Sequence, residues 1–125
     1  MKVTGQITLG VGDFRVRMTK FADVFERVVG ERLFPGTLNV DIGRPLKCRE
    51  DFRIRGADIG EPEQDLLFER CVIVGHRAYR IRPYQLVGGG GGHGDHIIEI
   101  ASAMELRPLL VDREHAVEIE FFRNR

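Results

Sequence analysis

Apolar and polar positions alternate with a period of two along much of this chain, the signature of half-buried strands. Val3, Ile7 and Leu9 among small and polar residues predict a strand over residues 2–9. Gly10-Val11-Gly12-Asp13 follows as a glycine-rich turn. Phe14, Val16 and Met18, alternating with Arg15 and Arg17, then predict a second strand. Here the period changes. Phe21, Val24, Phe25, Val28 and Val29 fall at i, i+3, i+4, i+7 and i+8, the stripe of an amphipathic helix. Thr19 can cap its start and Gly30 its end.

Pro35-Gly36 marks a tight turn, because proline fixes φ and glycine tolerates positive φ. Beyond it Leu38, Val40 and Ile42 alternate with Thr37, Asn39 and Asp41, predicting a strand over residues 37–42. One face of that strand enters a core, while the other carries a hydroxyl, an amide and a carboxylate in a row. Phe52-Arg53-Ile54-Arg55 reads as a further strand stopped by Gly56. Residues 67–74 and 78–82 flank Gly75-His76-Arg77 as a β-hairpin, with residues 84–87 extending it beyond Pro83. The consecutive glycines at 88–92 form a loop within the domain, since such a run orders only at a large entropic cost. Residues 97–100 predict a strand, 103–110 a short helix, and 117–122 a closing strand. Many short strands with one strong helix suggest a mainly β fold, a single domain over 1–125 built as a closed or nearly closed barrel with a helix packed on it.

Composition narrows the function. A chain of 125 residues is large enough for one core, and 19 basic residues balance 19 acidic ones. Zero net charge argues against bulk electrostatic binding to nucleic acid or to an anionic membrane. No apolar run approaches a membrane span, and Met1-Lys2-Val3-Thr4-Gly5 contains no signal-peptide core. Cys48 and Cys71 lack metal-type spacing and fit a reducing compartment. The expectation is a cytoplasmic monomer.

Three stretches carry candidate chemistry. Thr37 and Asn39 offer hard oxygen ligands of the kind Mg²⁺ takes, or they satisfy backbone groups near the turn. Gly10-x-Gly12-x-x-Arg15 could bring backbone and a guanidinium close to a phosphate, or could be an ordinary hairpin turn. It is neither a P-loop nor a dinucleotide fingerprint. His93-Gly94-Asp95-His96 holds two imidazoles and a carboxylate, without an evident third ligand for zinc. Glu99 stands between Ile98 and Ile100, where a side chain facing a cavity could orient a hydroxyl. Met104-Glu105-Leu106-Arg107 reads locally as an amphipathic turn.

Together these stretches resemble the archaeal CTP-dependent riboflavin kinases. The resemblance is carried by Gly5-Gln6-Ile7, Gly10 through Arg15, and Pro35-Gly36-Thr37-Leu38-Asn39-Val40. It continues in His93-x-x-His96-Ile97-Ile98-Glu99-Ile100 and Met104-x-Leu106-Arg107. It spans nearly the whole chain and is thinnest over residues 44–92. It implies a six-stranded cradle-loop barrel that transfers a phosphoryl group from CTP to riboflavin, giving FMN and CDP. It also implies that Thr37 and Asn39 hold Mg²⁺. Gly10, Val11, Gly12, Asp13, Phe14 and Arg15 would cradle the nucleotide from one side, and Met104, Glu105, Leu106 and Arg107 from the other. Gly91 and Glu99 would face the flavin. Phe14 stands where the family usually has another glycine, Glu105 where it has a lysine, and Gly91 where it has a flavin-binding threonine.

The expected function is therefore Mg²⁺-assisted phosphoryl transfer from CTP to riboflavin, with no residue assigned as general base. A non-catalytic barrel that senses nucleotide or flavin is the alternative. A DNA-binding barrel of the swapped-hairpin type is disfavoured by the charge balance and by the absence of a helix-turn-helix extension.

Overall fold

The structure is a computed structural model that describes residues 1–10, 14–88, 94–113 and 116–123. In chain order the strands are β1 (Lys2–Thr8), β2 (Leu38–Asp41), β3 (Phe52–Ile54), β4 (Gln64–Ile73), β5 (His76–Gln85), β6 (Ile97–Ala101) and β7 (Val117–Phe121). Helices α1 (Phe14–Lys20) and α2 (Ala22–Val29) lie between β1 and β2, and 3₁₀ segments cover Gly56–Ile59 and Arg107–Arg113. The strands run in the order β3-β4-β5-β6-β2-β1-β7, and β7 returns to β4. Every pairing is antiparallel. Ten-residue β4 makes closure possible: Leu66, Leu67 and Phe68 pair with β3, while Cys71, Val72 and Ile73 pair with β7. The result is a closed six-stranded barrel with β3 added to the free half of the β4 edge. Closure removes exposed strand edges.

Two backbone positions let the ring close. A Cβ at Gly5 would lie 2.4 Å from the Asp41 carbonyl oxygen, so β1 can cross β2 only with glycine there. The β4–β5 turn places both Val74 (φ 48°) and Gly75 (φ 76°) in the left-handed region, the twist a two-residue hairpin requires.

Apolar side chains form two cores. Inside the barrel Val3, Val40, Ile73, Ala78, Ile98, Val117 and Ile119 meet. Outside it, Phe14 and Met18 of α1 with Phe25 and Val29 of α2 cover Leu66, Phe68, Tyr79, Ile81 and Ala101. Strand faces that would otherwise meet water are thereby buried.

The strand expected over Phe14, Val16 and Met18 is instead helix α1. Phe14 and Met18 are buried one helical turn apart, and Val16 between them is 58% exposed, which a strand pointing all three the same way would not give. Thr19 accordingly lies inside α1, where its hydroxyl donates to the Arg15 carbonyl at 2.8 Å, and it does not cap α2. The α2 N-cap is Phe21, without a side-chain bond. Gly30 does end α2, at φ 91° with its N–H on the Glu26 carbonyl. The helix expected over 103–110 is a 3₁₀ segment displaced to Arg107–Arg113. β5 runs through Pro83 to Gln85, as the extension beyond the proline required. Among the described residues, no helix is long and apolar enough to cross a membrane.

Candidate active-site cleft

A cleft of about 310 Å³ opens where α1, the turn before β2 and the segment after β6 converge. Gly10, Phe14 and Arg15 form one side, Phe34, Pro35, Gly36, Thr37 and Leu38 the middle, and Ser102 with Met104, Glu105, Leu106 and Arg107 the other side. Sequence reasoning had drawn its nucleotide residues from two distant segments, and the fold brings the described ones together with Thr37. Val11, Gly12, Asp13, Gly91 and His93 lie outside the described residues.

Local geometry explains each wall. Gly36 takes φ 118°, a conformation that favours glycine, and its N–H meets the Met18 sulfur at 3.3 Å, tying the turn to α1. Phe14 is 3% exposed, so its aromatic ring anchors the start of α1 in the outer core. The Arg17 guanidinium stacks on that ring at 4.9 Å and pairs with Glu61 at 2.9 Å. Arg15 and Arg107 stay exposed at the cleft, and so does Glu105 on the same wall as Arg107.

Below the cleft lies a buried polar row. Asn39 pairs across the sheet with Thr8 on one side and Glu99 on the other. Asn39 and Glu99 are each 3% exposed. The Thr37 hydroxyl donates to Glu99 Oε2 at 3.2 Å. Asn39 Oδ1 is buried with no hydrogen-bond partner among the described residues, an arrangement that native interiors complete with an ordered water, a ligand or an ion. With the Thr37 hydroxyl two residues away, the donor set consists of hard oxygens and fits Mg²⁺. Asp41, third in the row, is occupied elsewhere: Oδ1 accepts the Gly43 N–H at 2.8 Å. Gly10 covers Asn39 closely, since a Cβ there would sit 3.3 Å from Asn39 Nδ2.

The histidine cluster assembles less. His96 is exposed, and Asp95 is held by Arg82 at 3.0 Å. Among the described residues, no group of three or more His, Cys, Asp or Glu side chains is placed to hold a metal. Burial pushes the Cys48 thiol up to about 12 and raises Cys71 as well, so neither is poised as a thiolate.

Sequence reasoning missed Phe34 and Ser102. Phe34, 39% exposed and immediately before Pro35-Gly36, was detectable as an aromatic outside the helical stripe. Ser102 carried no signal, since its importance lies entirely in tertiary hydrogen bonds.

Fold and cleft define the class: a closed six-stranded antiparallel barrel with two helices packed on its wall and a polar cleft at their junction. No family model matches the sequence. Over 113 residues the chain is 30% identical to the riboflavin kinase of the archaeon Staphylothermus marinus, an alignment covering 88% of this chain and 82% of the relative. The chain belongs to the archaeal-type riboflavin kinase family.

Proposed function

We propose that this protein phosphorylates riboflavin to FMN with CTP as donor and Mg²⁺ as cofactor. One observation carries the reading: residues far apart in sequence, Gly10, Phe14 and Arg15 with residues 34–38 and 104–107, line one cleft, and its Gly10 packs against Asn39, whose Oδ1 has no hydrogen-bond partner among the described residues. Phosphoryl transfer asks a protein mainly for positioning and for charge neutralisation. Arg15 and Arg107 supply positive charge to the nucleotide phosphates from opposite walls, and backbone at Gly10 allows close approach. Phe34 and Met104, both partly exposed at the cleft, offer apolar surface to a nucleobase or ring. Thr37 and Asn39 would hold the Mg²⁺, which would supply charge to stabilise the transferring phosphoryl group. Glu99, hydrogen-bonded to Thr37, would orient the ribityl hydroxyl; no residue is assigned as general base.

The alternative, a non-catalytic sensor, draws on Glu105, whose carboxylate adds negative charge to a cleft proposed to hold phosphates. One assay separates the two. Purified protein, riboflavin and Mg²⁺ are incubated with each nucleoside triphosphate in turn, and FMN is scored. FMN formed best with CTP supports the proposal. ATP equal to CTP removes the donor assignment, and nucleotide binding without FMN from any donor selects the sensor.

A further inference from the structure

Two of the three parts of the cleft, the wall formed by Phe34–Leu38 and the wall formed by Met104–Arg107, meet at one residue. β6 ends at Ala101, whose partner in β5 is Tyr79, and the next residue, Ser102, is 3% exposed. Its hydroxyl donates to the Arg77 carbonyl at 2.9 Å, continuing by a side chain the β5–β6 connection that the backbone ladder has left. The same hydroxyl oxygen accepts the Met104 N–H at 3.4 Å, at the head of the wall carrying Met104, Glu105 and Arg107. The Ser102 carbonyl accepts the Phe34 N–H at 2.8 Å, at the head of the wall carrying Pro35, Gly36 and Thr37.

The end of β5 to which Ser102 is tied also holds the Phe34 wall from its other side. Arg77 Nε donates to Glu31 Oε2 at 3.1 Å, and the Tyr79 hydroxyl donates to the same carboxylate. Glu31 lies between α2 and Phe34, so that wall is pinned at both Glu31 and Phe34. Among the described residues, the hydrogen bond that ties the opposite wall to the same place runs from the Met104 N–H to the Ser102 hydroxyl, with Leu106 packed into the core behind it. Removing that hydroxyl frees the Met104 N–H and takes away the side-chain anchor to the Arg77 carbonyl that helps hold the Ser102 peptide where its carbonyl meets the Phe34 N–H.

The geometry points to Ser102 as a positioning residue that sets the spacing between the two walls of the cleft, and thereby the fit of the nucleotide. It touches no reacting atom; it acts through Phe34 and Met104. The inference rests on the proposed kinase reading for its kinetic consequence, but its structural consequence can be measured without ligand.

The test compares wild type with Ser102→Ala and Ser102→Thr. In ligand-free protein, amide exchange at Phe34 and Met104 should both accelerate in Ser102→Ala by about tenfold. Under turnover the CTP KM should rise about fivefold while the riboflavin KM stays within about twofold of wild type. Ser102→Thr, which keeps the hydroxyl, should restore protection and CTP KM together. Faster exchange at Met104 alone, or at neither amide, overturns the inference, as does an equal rise in both KM values. So does a lower melting temperature with unchanged exchange and KM. Wild type that makes no FMN with any nucleoside triphosphate defeats the kinase reading instead. The exchange arm then decides the role of Ser102 by itself.

Discussion

Thr37 and Glu99 are 62 residues apart in sequence, yet the Thr37 hydroxyl donates to the Glu99 carboxylate at 3.2 Å beneath the cleft. The bond joins the residue proposed to hold metal to the residue proposed to face the flavin. Glu99 is 3% exposed, so its polar atoms rely on such partners rather than on bulk water.

A hydrogen bond to a charged group contributes about 1.5–3 kcal/mol. Thr37→Val keeps much of the volume, removes the hydroxyl and should lower stability by an amount in that range, read by chemical denaturation. Its loss of turnover should exceed its loss of stability, because the hydroxyl is also proposed as a metal ligand. A Thr37→Val protein of full stability and full activity would remove both roles.

Asn39 provides a sharper separation of activity from folding. Its Oδ1 has no hydrogen-bond partner among the described residues, so Asn39→Ala breaks no bond made by that atom and deletes a buried acceptor that itself costs about 1–3 kcal/mol. That gain offsets part of the packing lost at a residue 3% exposed. Stability should therefore stay close to wild type. Activity should fall by about 10²–10³, the usual scale for removing one preorganised electrostatic group. Melting temperature and FMN production, measured on the same preparation, check both halves. A folded variant that turns over normally would leave Asn39 with a structural role only.

Gly10 tests how tightly the cleft is built over Asn39. A Cβ at Gly10 would be 3.3 Å from Asn39 Nδ2 and 3.5 Å from Cγ. The contact is tight, and Asn39 lies between Thr8 and Glu99 with little freedom to retreat. Gly10→Ala should raise the nucleotide KM about threefold to tenfold with a stability change below about 1 kcal/mol. Gly10→Val should do more in the same direction. If neither variant alters nucleotide affinity, the close approach has no functional consequence.

Much of this architecture was legible because barrel strands buried on one face alternate. β7 shows this plainly: Val117, Ile119 and Phe121 are buried, and Glu118 and Glu120 exposed. β4 shows where the signal fails. Residues 65–69 are all buried, Leu66 and Phe68 by the helices and, on the other face, Asp65 and Glu69 by ion pairs with Arg53 and Arg123, so alternation vanishes in its first half. Phe14 and Met18 misled for a different reason: a spacing of four satisfies both a period of two and a helical turn, and only their packing under α2 decides. Thr37, Arg15 and Arg107 could be singled out from motifs. That one cleft unites them was implied only by the family resemblance and by no local pattern, because it depends on β2 and β6 lying side by side. Ser102 was invisible for the same reason.

Tyr79 gives a prediction about alkaline stability. Burial first, and the hydrogen bond to Glu31 second, push its phenol up to about 12 from the ordinary value near 10. The folded state therefore keeps the phenol proton more tightly than the unfolded chain does. The stability this contributes is fully present below about pH 10, the unfolded value, and is lost as pH rises through the folded value. Wild type should lose stability across that window more steeply than Tyr79→Phe, which has no proton to release there. Below the window Tyr79→Phe should be the less stable of the two, because Glu31 loses its phenolic partner and keeps only Arg77. The two stability curves should converge toward high pH. Denaturation midpoints of both proteins at pH 8, 9, 10 and about 11.5 measure this. Parallel curves through the whole range would mean that the phenol titrates alike in the folded and unfolded chains. In that case the Glu31 contact would not hold its proton, and the clamp on the Phe34 wall would rest on Arg77.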